Sequence, residues 1–559
     1  MLHPCHNRYW GVMKKIRIAG PPGTGKTTDL VKTYYSHLDE YDPTDIIVIS
    51  HTNAAANHIR DRISDDKSVL SFEEDTGKNI FGLIRDSKKT LDENVTTIHK
   101  FCTTRIHGDA FNIDDWENLK IIWPEFDFYT NDKKFKSVQS LMKIHPFFDF
   151  VTRARDNGRS LMDHYLTLSF EERSKIRYSI EDLEHLQKNW ISFKTSKKIN
   201  FRSPNILDFQ DMIENFTESP NAEAQCGSIK VLIVDEAQDS SVIQRKAEKI
   251  ISKNVDYFYK AGDPDQAIFE FSGADPDAFH KEFARPEKEL EQGYRCPRVI
   301  NEYCKSIIKP IWEHYNYERT WRPREEDGKI VEGEIIHMSN LHSNDNVQRL
   351  EEEMLLGKEN FIFTYRGGEP KEILRFLLKV GVPFALPKDS KNIKFKYPSK
   401  EIKNQRNFLD LANGEQKPFN IIKNMLKSVS YQYLGDNYNT SNLEKVKRGS
   451  YSLKWLVDQK FLIKEVLSIT DFQEINATHT IEIKQFIRNV INNNRDKEDK
   501  RIFLENIHTI KGKEFDNVVL DLTLTREEED FVRRRMKFVA CSRAKEKLWL
   551  VKSSERLSL

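Results

Sequence analysis

The chain has 559 residues, which is too long for a single hydrophobic core and predicts about two to four domains. Its 38% hydrophobic and 31% charged content, with 22 glycines and 19 prolines, excludes collagen-like and low-complexity proteins. Lys+Arg (88) and Asp+Glu (87) nearly balance, so the overall charge neither indicates nor excludes a nucleic-acid partner. Without a membrane-length apolar run, a signal-peptide pattern or a Cys-x-x-Cys pair, the sequence predicts a soluble protein of the cytoplasm.

Short apolar segments alternate with helical stretches along the chain, which is typical of parallel sheets covered by helices. Two long blocks interrupt this alternation with charged, aromatic-rich helical sequence, so we predict two α/β domains, each with a mainly helical insertion. The predicted strands are Ile16–Ala19, Ile46–Ile49, Val231–Val234, Tyr257–Lys260, Phe361–Thr364, Val518–Leu522 and Leu548–Val551. The predicted boundaries are 1–102 and 203–292 for the first domain, 103–202 for its insertion, 293–390 and 499–559 for the second domain, and 391–498 for its insertion.

The first chemical motif is the loop Gly20–Thr27, GPPGTGKT, which follows an apolar strand and precedes a helical stretch. A loop of the form G-x-x-x-x-G-K-[ST] in this setting binds phosphates, because its backbone N–H groups and the following helix N-terminus attract anions. Lys26 would neutralise the β- and γ-phosphates, and the Thr27 hydroxyl would hold Mg²⁺. The residues predicted to bind a nucleoside triphosphate here are Gly20, Gly23, Thr24, Gly25, Lys26, Thr27 and Thr28.

The second motif is Val231–Asp239, VLIVDEAQD, in which an apolar strand ends in carboxylates. In α/β proteins the carboxyl ends of strands are where ligands bind. Asp235 is suited to hold Mg²⁺, and Glu236 is suited to polarise the water that attacks the γ-phosphate. One acid after a strand is commonly only a charged turn, but two adjacent acids followed by Gln238 and Asp239 favour hydrolysis of the nucleotide.

With these two motifs, the order of several further segments resembles the UvrD/Rep-like branch of superfamily 1 DNA helicases. The segments that resemble this family's motifs are Ser50–Ala56, Thr97–Cys102, Asp208–Ile213, Asp235–Gln244, Gly262–Ala274, Gln292–Cys296, His508–Phe515 and Val539–Leu548. Each segment is moderately specific by itself. Together they extend from the phosphate loop almost to the end of the chain, so the resemblance covers both predicted α/β domains.

The resemblance implies two RecA-like P-loop NTPase domains, each with a helical insertion, and ATP in the cleft between them. It implies that Gln266 senses the γ-phosphate. It also implies that Arg295 and Arg543 stabilise the charge that develops during phosphoryl transfer, which makes both arginines catalytic together with Lys26, Asp235 and Glu236. Tyr294 is at the family's adenine-stacking position, and Glu514 is where the family contacts the ribose.

The resemblance also implies a track for single-stranded DNA, on which aromatic side chains stack against bases. The residues that match positions on this track are His51, Thr52, Asn53, His99, Phe101, Phe269, Phe271 and His508. For Phe269 and Phe271 the alternative is that both are core residues. His51 replaces the family's usual Phe, and Phe271-Ser272 stands where many members have Trp-Arg. No glutamine precedes Gly20, so the family's glutamine motif is not evident and the choice of nucleotide stays open.

The second predicted insertion is locally basic. From Lys388 to Lys460 there are 15 Lys/Arg and 7 Asp/Glu, a net charge of +8, with aromatic residues interleaved: Phe395, Tyr397, Phe408, Tyr431, Tyr433, Tyr451 and Trp455. Basic and aromatic residues together can bind phosphates and stack on bases. The alternative is a solvated helical surface whose aromatic residues form a small core.

These observations predict an ATP-dependent single-stranded DNA translocase and DNA helicase, of 3′ to 5′ polarity, acting in DNA repair, replication or recombination. Its cofactors would be ATP and Mg²⁺, and its partners single-stranded DNA and tailed or forked duplex DNA. Two alternatives remain open. One is a superfamily 1 RNA helicase, and the other is a nucleotide-switched scaffold that binds nucleic acid without moving along it.

Overall fold

The fold is taken from a computed structural model. It describes residues 13–126, 141–142, 145–176, 178–195, 206–341, 345–365, 370–386, 395–427, 429, 433–463, 480–497, 501–521 and 530–551. The chain is mixed α/β, with two six-stranded parallel sheets. All seven predicted strands are confirmed within these residues; Leu522, the last residue of one of them, and Tyr431 lie outside the described residues.

The first sheet is formed by short runs of β-branched and aromatic residues, which favour extended backbone. Every neighbouring pair in this sheet is parallel. In spatial order the strands are Val95–Thr97, Ile46–Ser50, Val231–Val234, Tyr257–Gly262, Lys14–Ala19 and Lys288–Glu289. Alternate residues face opposite sides, so Ile46 and Val48 join one hydrophobic cluster while Ile47 and Ile49 join another. The sheet is therefore buried on both faces.

Helices cover the two faces of this sheet. They are Lys26–Ser36, Asn53–Ile63, Asp66–Thr76, Phe81–Asp86, Lys88–Asn94, Ile98–Thr103, Phe209–Glu218, Val242–Ile251 and Pro276–Glu282. Short 3₁₀ turns lie at Pro43–Asp45, Ala224–Cys226, Ala237–Asp239, Ser252–Asn254, Pro264–Gln266 and Glu270–Ser272. Two of these turns carry residues of the predicted site, Gln266 in Pro264–Gln266 and Phe271 in Glu270–Ser272, and a third, Ala237–Asp239, directly follows Asp235 and Glu236.

A helical block with its own hydrophobic cluster lies between residues 103 and 206. Its helices are Ile113–Ile122, Pro146–Asp156, Leu161–Thr167, Phe170–Lys175 and Ile180–Thr195, with a 3₁₀ turn at Pro124–Phe126 and a two-stranded pair of Asp109–Ala110 with Ile206–Leu207. Arg155 and Lys194 of this block bind Asp208 and Asp211, with N–O distances of 2.6 to 3.0 Å. Because the same two aspartates cap the helix Phe209–Glu218, they fasten the block to the helices beside the first sheet.

The second sheet is also entirely parallel between its neighbouring strands. In spatial order its strands are Glu334–Met338, Ala544–Val551, Phe515–Asp521, Phe361–Tyr365, Ile502–Asn506 and Phe384–Ala385. Besides the helices already given and those of the second insertion block, the chain has the helices Arg298–Tyr315, Asp345–Leu356, Lys371–Val380 and Phe531–Cys541. A 3₁₀ turn lies at Ile507–Thr509, and Glu325–Glu326 pairs with Lys329–Ile330 in a short two-stranded sheet.

The basic block between residues 395 and 497 is mainly helical. Its elements are the helices Ser399–Ala412, Phe419–Leu426, Thr440–Lys445, Leu453–Asp458 and Ile481–Asn492, the strand pair Lys417–Pro418 with Ser450–Tyr451, and a 3₁₀ turn at Arg495–Lys497. Of its predicted aromatic residues, Phe408 and Tyr433 are buried in its own core and Tyr451 and Trp455 pack half-buried against that core. These four side chains match the small-core alternative rather than an exposed stacking surface.

The chain divides into two compact units. The first consists of Met1–Tyr294, Lys305–Lys329 and Asp530–Phe538, and the second of Arg295–Cys304, Ile330–Glu529 and Val539–Leu559. The first unit contains the first sheet, and the second unit contains the second sheet. Among the described helices, none combines the length and apolar character that crossing a bilayer requires.

Candidate active site

Three central strands of the first sheet bring four of the six predicted catalytic residues, Lys26, Asp235, Glu236 and Gln266, to one edge. The strands Val231–Val234, Tyr257–Gly262 and Lys14–Ala19 are neighbours and run parallel. Their carboxyl ends therefore share an edge, and the segments that follow them lie side by side. These segments are the acidic turn, the turn that contains Gln266, and the phosphate loop.

The phosphate loop connects the strand Lys14–Ala19 to the helix Lys26–Ser36. Gly25 occupies the position before the helix with φ of 83°, a left-handed conformation that strains any residue with a Cβ. Gly23 has φ of 73° in the same loop. This backbone leads directly into an eleven-residue helix, and a helix N-terminus at the end of such a loop is an arrangement that binds phosphate.

Lys26 is buried at the base of this loop. Its Nζ donates hydrogen bonds to the carbonyl oxygens of Gly20 and Pro21, at 2.7 and 3.3 Å. Burial lowers the pKa of Lys26, while the carboxylates of Asp263 and Glu236 act in the opposite direction. The neighbouring carboxylates thus favour the charged form of the buried ammonium group, which is the form that binds a phosphate anion.

The acidic turn after Val231–Val234 holds Asp235 and Glu236 in different environments. Asp235 is buried and its Oδ1 accepts a hydrogen bond from the Glu236 N–H at 2.9 Å, whereas Glu236 is half-buried and has φ of 54°. Gln238 donates its Nε2 hydrogen to the Glu236 carboxylate. A Cβ at Gly262 would lie 2.6 Å from both the Gln238 Oε1 and the Phe279 ring, so glycine leaves room at this position for these two side chains.

Gln266 is tied to the acidic turn through Asp263. The Gln266 Nε2 donates to Asp263 Oδ2 at 2.6 Å, and the Asp263 N–H donates to Gln238 Oε1 at 3.0 Å. A continuous hydrogen-bonded chain thus runs from Glu236 through Gln238 and Asp263 to Gln266. Asp263 also accepts a hydrogen bond from Arg319. Gln238 was noted in the sequence only as part of the acidic motif, and neither Asp263 nor Arg319 was predicted as a site residue.

Tyr294 lies beside the phosphate loop. Its N–H donates to the Gly23 carbonyl oxygen at 2.8 Å, and its ring carbon Cε2 is 3.7 Å from a Cβ placed at Gly25. The side chain is 68% exposed, so one ring face is available to a planar ligand.

The three predicted threonines of the phosphate loop differ in exposure. Thr27 is half-buried and Thr28 is exposed at the start of the helix, whereas Thr24 is buried and donates to the Pro21 carbonyl at 2.8 Å.

The second unit brings the other predicted nucleotide residues together. Arg295 donates its Nε hydrogen to Glu514 at 3.0 Å, and its Nη1 lies 3.5 Å from the Ser542 carbonyl oxygen. Partial burial alone would raise the pKa of Glu514, but the guanidinium of Arg295 lowers it below its ordinary value. Arg543 is buried and donates to the Val539 carbonyl and the Ser542 hydroxyl at 2.9 and 3.0 Å.

Three predicted DNA-binding rings form a row in the first unit. The ring centroids of His51 and Phe269 are 5.7 Å apart, and those of Phe269 and Phe271 are 5.8 Å apart. We call His51, Phe269 and Phe271 the aromatic row. Phe271 is 48% exposed and the other two are half-buried, so the alternative that both phenylalanines belong to the core is wrong for Phe271. The guanidinium of Arg153, which sequence reasoning missed, lies 5.8 Å from the Phe271 ring.

Thr52 and Asn53 are exposed at the start of the helix Asn53–Ile63, where Thr52 accepts a hydrogen bond from the Ala55 N–H at 3.1 Å. An exposed helix N-terminus of this kind has N–H groups suited to a phosphate of the DNA backbone. These two residues lie directly after His51. All three predicted contacts in residues 51–53 are therefore at least partly exposed.

The other predicted DNA-binding residues are not equally available. Phe101 is 2% exposed, within the hydrophobic cluster on one face of the first sheet, and this corrects the prediction that it contacts DNA. Its position on the inner side of the helix Ile98–Thr103 explains its burial. His99 is half-buried, and burial lowers its pKa to about 4, so the ring is neutral at neutral pH. His508 lies in the second unit, where Asn506 accepts from its N–H at 2.9 Å.

Comparison with protein families gives two matches along the chain. Residues 10–285 match the model of the UvrD/REP helicase N-terminal domain. Residues 501–551 match the model of the UvrD-like helicase C-terminal domain. Together the two matches cover more than half of the chain. They include the phosphate loop, the acidic turn, Glu514 and Arg543, whereas Tyr294 and Arg295 lie between them.

Individual relatives agree with these matches. A probable DNA helicase II homolog of Mycoplasma pneumoniae is 24% identical over 363 residues, 58% of this chain and 46% of the relative. The ATP-dependent DNA helicase Rep of Buchnera aphidicola is 23% identical over 401 residues, 66% of this chain and 53% of the relative. The ATP-dependent DNA helicase PcrA of Staphylococcus aureus is 22% identical over 405 residues, 65% and 51% respectively. The chain thus spans about half the length of these relatives.

Proposed function

The chain belongs to the UvrD-like helicase family, and we propose that it is an ATP-dependent translocase on single-stranded DNA and a DNA helicase. The observation that carries this proposal is the position of two features on one short segment. Gln266 joins the hydrogen-bonded chain of the acidic turn, and Phe269 and Phe271 of the aromatic row follow within five residues. Loss of the γ-phosphate would change the contacts of Gln266. Because the two phenylalanines follow on the same segment, that change would act directly on the backbone that presents their rings to DNA.

Hydrolysis is assigned to the residues at the carboxyl edge of the first sheet. Lys26 would leave its loop carbonyls for the β- and γ-phosphates, because a phosphate anion is the stronger partner for an ammonium group. Glu236, aimed by its left-handed backbone and by Gln238, would accept the proton of the attacking water. Gln266 would report whether the γ-phosphate is present. Arg295 and Arg543 are proposed to stabilise the negative charge of the transition state.

Mg²⁺ fits the same edge. Asp235 offers a buried carboxylate and Thr27 a hydroxyl, and both are hard oxygen donors of the kind that Mg²⁺ prefers. One or two carboxylates together with substrate phosphates are a sufficient ligand set for this ion. When bound, Mg²⁺ would neutralise charge on the phosphate oxygens. Tyr294 is proposed to stack on the base and Glu514 to bind the ribose.

The domain organisation is part of the proposal. We assign the two sheets to two RecA-like domains, with 103–202 and 391–498 as their helical insertions. Support comes from the two parallel sheets and from the separate hydrophobic clusters of the two helical blocks. The family also leads us to propose 3′ to 5′ polarity and a role in DNA repair, replication or recombination. The residues proposed to contact single-stranded DNA are the aromatic row, Thr52, Asn53, His99 and His508.

The test combines hydrolysis and movement. ATP hydrolysis is measured without nucleic acid, with single-stranded DNA and with matched single-stranded RNA, and strand displacement is measured on duplexes with a 3′ or a 5′ tail. We expect DNA to stimulate hydrolysis and only the 3′-tailed duplex to be unwound. Stimulation by RNA alone would favour an RNA helicase. Nucleotide-dependent DNA binding without displacement of streptavidin from either biotinylated end would favour a non-moving scaffold.

A further inference from the structure

Arg319 is a buried arginine outside every motif that the sequence singled out. It follows the helix Arg298–Tyr315 and belongs to the first unit together with the phosphate loop and the acidic turn. Its side chain is 2% exposed. A buried guanidinium requires carboxylate partners, because burying an unpaired charge is strongly unfavourable.

The partners of Arg319 are the two aspartates of the Gln266 turn. Its Nη1 donates to Asp263 Oδ1 and lies 3.3 Å from Asp265 Oδ2. Asp265 also accepts a hydrogen bond from the Trp312 indole at 2.8 Å. The Nη2 of Arg319 is buried without a hydrogen-bond partner.

Asp263 divides its two oxygens between Arg319 and Gln266. Oδ1 accepts from Arg319 and from the Asp265 N–H at 3.1 Å, while Oδ2 accepts from Gln266 Nε2 at 2.6 Å. Asp263 is fully buried, so its carboxylate has little freedom to rotate. The orientation of the Gln266 amide is therefore set by a carboxylate that Arg319 fixes from the other side.

The same pair acts on the phosphate lysine. Among the charged groups near Lys26, Asp263 has the largest effect in raising its pKa, and Arg319 acts in the opposite direction. Loss of the Arg319 charge would leave Asp263 without its counter-charge and free to attract Lys26. Both Gln266 and Lys26 are proposed to contact the γ-phosphate, so both effects converge on that group.

We infer that Arg319 is a positioning residue that orients Gln266 toward the γ-phosphate by clamping Asp263. This inference rests on the proposed function, because it assigns a role within ATP hydrolysis. It predicts that Arg319 contributes to the distinction between nucleotides with and without a γ-phosphate. A merely structural arginine would affect stability and the binding of all nucleotides alike.

The test compares Arg319→Gln, Gln266→Ala and the double variant with the exposed control Arg322→Gln, three residues away, whose side chain is 62% exposed. Affinities for ADP and for a non-hydrolysable ATP analogue are measured with kcat and the melting temperature. We expect Arg319→Gln to keep ADP affinity, to lose most of the preference for the analogue, and to lower kcat by about 100-fold, the cost typical of a misplaced catalytic group. The control should match the wild type.

The double variant decides the mechanism. If Arg319 acts through Gln266, the double variant should be no worse than Gln266→Ala alone, because coupled residues are not additive. Additive losses, or an unchanged analogue preference in Arg319→Gln, would overturn the inference. If Arg319→Gln does not fold, Asp263→Asn tests the same link with a side chain of equal size, and the same outcomes apply. A wild type without DNA-stimulated hydrolysis would refute the proposed function, whereas the nucleotide-binding comparison would still report on Arg319.

Discussion

The carboxyl edge of the first sheet and the amino edge of the second sheet both carry predicted nucleotide residues, but the chemistry differs. The first edge has Lys26 on a loop of backbone N–H groups, beside the buried carboxylates of Asp235 and Asp263. At the second edge, Glu514 and Arg543 each directly precede a strand, and Arg295 contacts Glu514. The first edge contains the groups that we propose to bind phosphate and to activate the attacking water. The second edge supplies guanidinium groups.

The two edges should therefore contribute separately to binding and to turnover. The first edge has the phosphate loop, the carboxylate proposed to hold Mg²⁺ and the proposed base within one unit, so it should bind nucleotide without the arginines. The second edge has no phosphate loop among its described residues, and its arginines are paired with a carboxylate and with carbonyl oxygens. Removing a group from the first edge should therefore affect binding and turnover, whereas removing an arginine should affect turnover alone.

The largest effect is expected from Lys26→Ala. Phosphoryl transfer depends almost entirely on positioning and charge stabilisation, so hydrolysis should fall by at least about 10³-fold. Affinity for ATP should also fall, measured with a fluorescent nucleotide. The matched control is Lys32→Ala on the same helix, whose side chain is exposed and pairs with Asp75. A Lys26→Ala protein that hydrolyses ATP normally would contradict the assignment of the first edge.

Arg543→Ala should have the next largest effect. Arginines that stabilise phosphoryl transfer contribute about 10³-fold or more to kcat, so turnover should fall by about that factor. ATP affinity should remain close to that of the wild type, which separates this variant from Lys26→Ala. Arg298→Ala serves as control, since Arg298 is an exposed arginine of the second unit paired with Glu302 and Glu332. Equal losses of ATP binding and turnover in Arg543→Ala would contradict the assignment of separate roles to the two edges.

Phe271→Ala should have the smallest effect of the three. A base stacked on an aromatic ring contributes about 1–3 kcal/mol, so the Kd for single-stranded DNA should rise by about 5- to 150-fold. Hydrolysis without DNA should be unchanged, because Phe271 lies outside the nucleotide edge. Phe170→Ala is the matched control, since Phe170 is 89% exposed in the helical block. Equal DNA affinity in the wild type and Phe271→Ala would remove this ring from the track.

The parts of the site that were predictable from residues alone are contiguous with strands. The phosphate loop and the Asp235-Glu236 pair directly follow apolar runs, so strand prediction places them at a sheet edge. Arg295 and Arg543 carry no such local signal and were predicted only through the family resemblance. Both sheets follow from the alternation of apolar strands with helices, while strand order depends on long-range pairing that local patterns do not encode.

The failures have physical causes as well. Phe101 was misassigned because a motif match does not reveal which side of a short helix faces the core. Arg319 was missed because its partner Asp263 is 56 residues away and no local pattern connects them. The clue available in the sequence was Asp263 itself, an acid between a glycine and a proline at a strand end, which would need a cation if buried.

The backbone of Glu236 has a consequence for how this protein can be changed. A left-handed conformation at a residue with a side chain costs on the order of 1 kcal/mol or more, and glycine would adopt it freely. Selection for thermal robustness alone would therefore replace Glu236, and the replacement would remove the carboxylate proposed as the base. Folding and chemistry make opposite demands at this position, so a library screened only for heat resistance should be expected to enrich inactive proteins there.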